Sequence, residues 1–299
     1  MSEEATPIAV GAPPLRPLAL GWLQPLGRLL RVRLAGPALG FILLVVAVAL
    51  LAPVVSPYDP LAQDADLSLH PPSLAHPFGT DQLGRDVLAR MLYGARVALA
   101  VSLGAVSFGV ALGLTLGIVS GYVRGVLDEV LMRMMDAIVA FPGLILALAL
   151  MAALGPDLRN VIIAIGVANV PWVARVVRSQ TLSVRERDYI LAARSMGAHH
   201  GRIMLRHVFP NVLAPVIVQS TLGMGYAVLA EAGLSFLGVG VQPPTPTWGG
   251  MLRFAFGLLH QAPWLSLVPG AAIFLLVLSF NILGDALRDV LDPRLRGSL

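Results

Sequence analysis

Cysteine and lysine are absent from the sequence, and charged residues of any kind are few. Without cysteine the chain forms no disulfide, no thiolate metal site and no thiol nucleophile. Without lysine it lacks the phosphate-binding loop G-x-x-x-x-G-K-[ST], which excludes a nucleotide hydrolase of that class. Only 13% of the 299 residues are charged and 57% are hydrophobic, with a mean hydropathy of +0.79. Soluble domains carry about 25% charged residues, so this composition predicts an integral membrane protein.

Six long apolar stretches lie between the charged residues. Each approaches the roughly 20 residues that a helix needs to cross a bilayer core of about 30 Å. They run over residues 34–58, 97–123, 137–156, 161–177, 208–230 and 254–284. Within the last stretch, the membrane span is predicted to begin at about residue 267. The sequence therefore predicts an all-α membrane protein with six transmembrane helices.

All 21 basic residues are arginine, and their positions predict the orientation. With the N-terminus inside, five arginines fall in outer segments: Arg85, Arg90, Arg96, Arg159 and Arg253. The other sixteen fall in inner segments, and such a bias is typical of the cytoplasmic side. Both termini are therefore predicted to be cytoplasmic. The same bias accounts for the pI of about 10.1 without a nucleic acid partner.

The charge pattern also divides the chain into segments. The prediction is a cytoplasmic tail (1–33), a first transmembrane helix (34–56), an extracytoplasmic loop (57–95), a transmembrane core (96–288) and a cytoplasmic C-terminal tail (289–299). The first apolar stretch is longer than the core of a signal peptide, so it is predicted to be retained as a membrane helix. In the outer loop an amphipathic helix is predicted over 82–93. The charged residues of the outer loop, Asp81, Arg85 and Asp86, are predicted to order the loop or to contact a partner protein.

A charged cytoplasmic loop over 179–210 is predicted to contain two short helices. Ser183 and Glu186 have the spacing of a capping box, which starts a helix. Tyr189, Ala192, Ala193 and Met196 have the spacing of one helix face, and Gly197 suits the left-handed position that ends a helix. A second helix is predicted over 200–208, stopped by Pro210.

The first of these two helices has two readings. Its small apolar face can dock into a groove on another protein, because small residues allow close approach. Alternatively, it lies on the lipid headgroups with its arginines on anionic lipid.

The stretch YILAARSMGAHHGRIMLRHVFPN at 189–211 resembles the cytoplasmic signature of permease subunits of bacterial ABC importers. More specifically, the chain is similar to the second, C-type permease subunit of the dipeptide, oligopeptide and nickel family, which has a MetI-like transmembrane domain. Further motifs that carry the resemblance are HPFGTDQLGRD at 76–86, GY at 121–122, MRMMDAIVAFP at 132–142, EAGLSFLGVG at 231–240, PPTPTWGG at 243–250, PWLSLVPG at 263–270 and NILGDALRDVLDPR at 281–294.

The resemblance implies a multi-pass permease of the bacterial cytoplasmic membrane that imports dipeptides or oligopeptides by alternating access. It implies three kinds of partner besides the lipid bilayer: a second homologous permease, two ATPase subunits and an extracytoplasmic solute-binding protein. ATP and magnesium are then expected in the ATPases, and no cofactor is expected in this chain.

The signature implies a coupling helix that docks on an ATPase. The positions that the resemblance assigns to this contact are Tyr189, Ala192, Ala193, Arg194, Gly197, Ala198, His207, Pro210 and Asn211. Leu191 occupies a position where the broader signature has glutamate, which removes the salt bridge that a glutamate there offers.

Glu231 interrupts an apolar stretch, and an ionisable residue inside a membrane protein is a functional candidate. It either lines the solute pathway or lies near the outer end of the fifth helix, where Gly233 and Gly238 are predicted to break the helix.

Three alternative functions can be compared with the residues of the sequence. A nickel or small-solute permease of the same family shares these motifs. An ion-coupled secondary transporter is expected to have several intramembrane carboxylates and an internal repeat, whereas the sequence shows one candidate and no repeat. An intramembrane enzyme needs a nucleophile and a base, and the serines in the apolar stretches have no base near them in the sequence. The histidines lack metal-binding spacing. No catalytic residue and no metal ligand is predicted.

Overall fold

The computed structural model describes residue 29 and residues 32–291. The regular secondary structure of this part of the chain is helical, with no β-strand beyond one isolated bridge between Thr80 and Asp86. The predicted all-α fold is therefore confirmed. The predicted tails, 1–33 and 289–299, lie almost entirely outside the described residues.

Ten helices follow one another in the described residues. They are α1 (Ala35–Val55), α2 (Val87–Val123), α3 (Gly125–Val139), α4 (Gly143–Leu154), α5 (Leu158–Arg185), α6 (Asp188–Ser195), α7 (His200–Ile203), α8 (Phe209–Phe236), α9 (Trp248–Ala255) and α10 (Trp264–Leu291). A π-helical turn over Met204–Val208 joins α7 to α8, and single 3-10 turns occupy Ala65–Leu67 and Phe256–Leu258.

Five of these helical segments are long and apolar enough to cross a membrane: α1, α2, α5, the continuous helix His200–Phe236, and α10. A sixth span requires α3 and α4 together, and this pair is bent by 90°. The predicted third span, 137–156, crosses the bend and is not a straight helix. Proline has no backbone N–H and disfavours helical geometry in the residue before it. The helix is therefore interrupted at Phe141 and Pro142, between the end of α3 and the start of α4.

The predicted outer amphipathic helix over 82–93 is not a separate element. Helix α2 begins at Val87 and continues into the membrane for 37 residues. Asp86 forms its N-cap, accepting a hydrogen bond from the backbone N–H of Ala89 at 2.7 Å. The cap fixes the helix start five residues later than the sequence pattern indicated.

Helices α2 and α5 run parallel and form the most extensive helix pair of the described chain. Glycine recurs on α2 at every fourth position, at Gly109, Gly113, Gly117 and Gly121. A Cβ atom added at Gly117 would lie 2.6 Å from the carbonyl oxygen of Ala174, and one at Gly113 would lie 2.7 Å from Cβ of Val173. Only glycine permits this backbone approach, and small residues serve the same purpose in membrane helix pairs generally.

Helix α8 occupies the middle of the fold, because it packs against α2, α5 and α10. Its residue Val228 belongs to a core cluster that includes Ile42 of α1 and Phe280 of α10. Ala227 on the adjoining face belongs to a second cluster with Val101 and Ile165. The central position of α8 determines the surroundings of Glu231.

We expect Gly117→Ala to destabilise the subunit by about 1–3 kcal/mol, the usual cost of overpacking a core. The new methyl group meets backbone atoms of α5, which separate only if the helices move apart. The melting temperature of the detergent-purified importer measures the effect. Gly40→Ala is the control, since a Cβ there meets nothing within 4 Å. It is expected to be neutral or stabilising by up to about 1 kcal/mol through helix propensity. Equal melting temperatures for both variants would contradict this account of the α2–α5 contact.

Candidate functional site

The segment 186–208 lies at one end of the helix bundle, which we call the arginine-rich end. Helix α6 begins there at Asp188, with Arg187 at the N-cap position. The predicted capping box is wrong, because α5 continues to Arg185 and includes Ser183. The buried side chain of Val184 packs among residues of α2, α6 and α8, and this contact keeps the last turn of α5 helical.

Helix α6 has one face toward the bundle and one free face. Ile190 and Ala193 are its buried residues, and Ile190 packs in the apolar cluster at the arginine-rich end. Three of the four residues predicted to share an exposed face, Tyr189, Ala192 and Met196, are exposed, and Met196 is 81% exposed. The prediction is wrong for Ala193, which is the residue of this set nearest to Ile190 around the helix.

The end of α6 is as predicted. Gly197 has a φ of 77°, a left-handed conformation that glycine adopts without strain. Its N–H donates to the carbonyl of Arg194 at 2.9 Å, and the N–H of Ala198 donates to the carbonyl of Ala193 at 3.0 Å. These two bonds form a Schellman motif, which satisfies the last carbonyls of the helix and turns the chain toward α7.

The second predicted helix does not stop at Pro210. It continues through the π-helical turn into α8, with Pro210 in the first turn of α8. Asn211 Nδ2 donates to the carbonyl of His207 at 2.6 Å, and the rings of Tyr189 and His207 lie 6.3 Å apart. These residues of the signature therefore surround the junction between α6 and α8.

Arg194 faces the bundle, unlike the exposed residues of α6. Its guanidinium carbon lies 5.3 Å from the ring centre of Tyr122, at the end of α2. Leu191, at the glutamate position of the signature, is exposed. The free face of α6 is thus formed by Tyr189, Leu191, Ala192 and Met196.

Ion pairs that the sequence reasoning missed join α3 to α5 near this end. Asp128 accepts two hydrogen bonds of 2.6 Å from Arg178, through Nε and Nη2, and a further one from the hydroxyl of Ser120. Arg175 Nη2 donates to Asp136 at 2.7 Å. The two parallel bonds between Arg178 and Asp128 fix the orientation of the two side chains as well as their distance. The signal was present in the sequence as single charges at the ends of apolar stretches.

Glu231 lies in the interior of the subunit and is 1% exposed. Its carboxylate accepts a hydrogen bond of 2.7 Å from the hydroxyl of Ser235, one turn later. The predicted break at Gly233 is absent, and α8 ends at Phe236, before Gly238 with its φ of 83°. Within this structure Glu231 is therefore a buried helix residue; its place in a solute pathway stays a prediction.

Helix α9, from the PPTPTWGG motif, covers this part of α8. Thr247 caps the helix, accepting a bond of 2.9 Å from the N–H of Gly250. Trp248 Nε1 donates to the carbonyl of Met91 at 3.1 Å. A Cβ added at Gly249 would lie 2.3 Å from the carbonyl oxygen of Ala232. The motif thus packs directly against α8 beside Ala232, the residue after Glu231.

The outer loop is held by buried charges. Arg85 Nε lies 2.7 Å from Asp81 Oδ2, and Arg90 Nε lies 3.6 Å from the same oxygen. His76 Nδ1 lies 2.8 Å from Asp86 Oδ2. These contacts support the prediction that the charges order the loop. Among the described residues, no three His, Asp or Glu side chains come together as a metal site.

A glutamine at position 231 keeps the shape of the side chain and an oxygen acceptor for Ser235, and it replaces the other carboxylate oxygen with an NH2 group. Removal of a buried charge stabilises the subunit and an unpaired NH2 group destabilises it, so we expect Glu231→Gln to shift the melting temperature of the purified importer only slightly. If Glu231 serves the pathway, uptake falls by about tenfold or more, equivalent to roughly 1.4 kcal/mol in a rate-limiting barrier. Uptake at the wild-type rate would restrict Glu231 to a packing role.

Comparison with known proteins identifies two family matches. Residues 113–297 match the family described as "Binding-protein-dependent transport system inner membrane component". Residues 22–72 match the "N-terminal TM domain of oligopeptide transport permease C". Together these matches include α1, α6 and Glu231, and they leave out residues 73–112, which contain the charged part of the outer loop and the first part of α2.

Curated relatives are similar over almost the whole chain. The dipeptide transport system permease protein DppC of Alkalihalophilus pseudofirmus is 43% identical over 275 residues, which cover 92% of this chain and 90% of that protein. The glutathione transport system permease protein GsiD of Shigella flexneri is 46% identical over 277 residues, covering 92% and 91%.

Among solved structures, the MetNI methionine ABC transporter in inward facing conformations is similar to this chain with a TM-score of 0.56. The sequence identity is 20%, and the alignment covers 67% of this chain and 96% of that chain. At this level of identity the likeness supports the fold alone.

Proposed function

The chain belongs to the family of inner membrane permeases of binding-protein-dependent ABC importers, and on this premise we propose that it imports short peptides. As a permease subunit it is a multi-pass protein of the bacterial inner membrane. The peptide assignment is supported by relatives named for dipeptide and glutathione transport, since both solutes are short peptides. The proposed reaction is solute movement only; no covalent bond changes in this subunit.

We propose that the free face of α6 is the surface that contacts the ATPase subunit. The observation that carries this proposal is the division of α6 into two faces, with Ile190 in the apolar cluster and Ala192 and Met196 exposed. A helix held on one side and free on the other is suited to a groove on a partner, which is the helix-in-groove mode of recognition. The partner is an ATPase subunit that binds ATP and magnesium.

The proposed mechanism transmits ATPase movement through the end of α5. Only Glu186 and Arg187 separate α5 from α6, so a displaced α6 pulls on α5 directly. The glycine contacts hold α5 against α2, and the Asp128–Arg178 pair holds it against α3. Rigid-body movement of such a group of helices is a common way to change access to a site.

The proposed assembly contains a second homologous permease, two ATPases and an extracytoplasmic solute-binding protein. In this assembly both termini and the arginine-rich end lie in the cytoplasm, as the arginine distribution favours. Exposed apolar side chains on α3 and in the bend, such as Val126 and Phe141, are available to the second permease or to lipid. The subunit needs no cofactor of its own.

We expect Ala192→Glu to abolish coupling while the subunit remains folded. The new carboxylate lies on the free face of α6, where Ala192 is exposed, and it prevents close approach of the ATPase. Co-purification of the ATPases and ATP-dependent uptake are the measurements. Leu74→Glu is the control, since Leu74 is fully exposed in the outer loop. Normal ATPase binding and uptake by Ala192→Glu would contradict docking through this face.

The energy source and the solute are tested together in proteoliposomes that contain the complete importer and its binding protein. Uptake of a labelled dipeptide is expected to require ATP and to persist when ionophores collapse ion gradients. Unlabelled dipeptides are expected to compete with the label, and nickel salts are not. Uptake that survives ATP depletion and stops with ionophores would contradict the importer mechanism; competition by nickel alone would contradict the peptide assignment.

A further inference from the structure

Tyr122 joins four helices at the arginine-rich end. It is the next-to-last residue of α2, and its backbone carbonyl accepts a hydrogen bond of 2.6 Å from Arg185 Nη1, at the end of α5. Its hydroxyl and Nδ1 of His200, the first residue of α7, share a hydrogen bond of 3.0 Å. Arg194 of α6 lies over its ring. We call these four residues the Tyr122 cluster.

The ring of Tyr122 provides the binding surface for two cations. The guanidinium carbons of Arg185 and Arg194 lie 5.8 Å and 5.3 Å from the ring centre, both within the distance of a cation–π interaction. The Nε atoms of both arginines are buried and have no hydrogen-bond partner among the described residues. The aromatic face therefore takes the place of the acceptor that each Nε atom lacks, and desolvation strengthens such contacts.

Tyr122 itself is only 5% exposed, although it lies at the end of a membrane helix. Its ring belongs to the apolar cluster that also contains Ile190 of α6 and Ile203 of α7. The other attachments of α6 are few: Ile190 and Ala193 are its only buried residues within the described structure. Tyr122 is thus the residue through which α2, α5, α6 and α7 all make contact.

We propose that Tyr122 is a positioning residue for energy coupling, which makes α6 and the ends of α2 and α5 move as one body. This inference rests on the proposed docking of α6 on an ATPase. Without the cluster, α6 remains linked to α5 by Glu186 and Arg187, and a displacement of α6 is absorbed by bending of this connection. With the cluster, the displacement reaches both α5 and α2, whose glycine contacts transmit it along the membrane.

The test uses the complete importer in proteoliposomes with its binding protein, and measures both solute uptake and ATP hydrolysis. Tyr122→Leu is expected to leave the ATPases bound and hydrolysing, and to raise the ATP hydrolysed per solute imported by about tenfold, within the usual range of coupling between sites. Tyr122→Phe keeps the ring and loses only the bond to His200, so it is expected to stay within about twofold of the wild type, since it retains both cation–π contacts.

The matched control is Tyr93→Leu. Tyr93 lies near the opposite end of α2, where the guanidinium carbon of Arg96 lies 5.8 Å from its ring centre. This variant removes the same kind of contact from the same helix, and its ATP-to-solute ratio is expected to equal that of the wild type. If Tyr122→Leu does not assemble, Arg194→Gln replaces it, because this change removes one cation and leaves the apolar cluster intact.

The outcomes separate the two proposals. An unchanged ATP-to-solute ratio in both Tyr122→Leu and Arg194→Gln, with Ala192→Glu uncoupled, would overturn the role of Tyr122 and keep the docking face. Wild-type behaviour of Ala192→Glu would overturn the docking of α6 itself. A raised ratio in Tyr122→Leu that Tyr122→Phe does not share supports the positioning role.

Discussion

The close contact of α2 with α5 is the constraint on which the rest of the fold depends. Lipid chains are as apolar as leucine, so helices in a membrane associate through close packing rather than through burial from water. The glycines of α2, from Gly109 to Gly121, let the two backbones meet over roughly three turns. This contact brings the ends of both helices together at the arginine-rich end. There Arg185 donates a hydrogen bond to the carbonyl of Tyr122, and Arg194 of α6 lies over the ring of Tyr122. A looser pair would leave α6 without a defined orientation.

Charge is confined to places where it has a partner or meets water. Asp81 with Arg85 and Asp128 with Arg178 are paired at the two ends of the bundle. The membrane-crossing parts between them are held by apolar and small residues. A subunit that changes conformation as rigid bodies needs helices whose ends are held in place, and the ion pairs hold helix ends to their neighbours. Glu231, hydrogen-bonded only within its own helix among the described contacts, is the exception that marks it for experiment.

The sequence predicted the all-α class, five of the six spans and the family, because hydropathy and motif spacing are present in the residue order itself. It failed where tertiary contacts decided. Ser183 has the spacing of a cap, but packing of Val184 keeps α5 helical beyond it. Pro210 was expected to stop a helix, yet it closely follows the π-helical turn over Met204–Val208, where the regular bonding pattern already changes, and the helix continues to Phe236. Ala193 shares its spacing with exposed residues, and only the direction of Ile190 shows that it is buried. The glycine spacing on α2 is also present in the sequence, but by itself it does not show which helix packs against it.

The central claim is that α6 moves together with the ends of α2 and α5. The absence of cysteine allows paired spin labels at Arg187→Cys, at the start of α6 and outside its free face, and at Val123→Cys, at the end of α2; both residues are exposed. Distances between the labels are measured in the complete importer, first without nucleotide and then with a non-hydrolysable ATP analogue. The account predicts one narrow distance distribution, unchanged between the two states. A shift of several ångströms, or a broad distribution in either state, would contradict it.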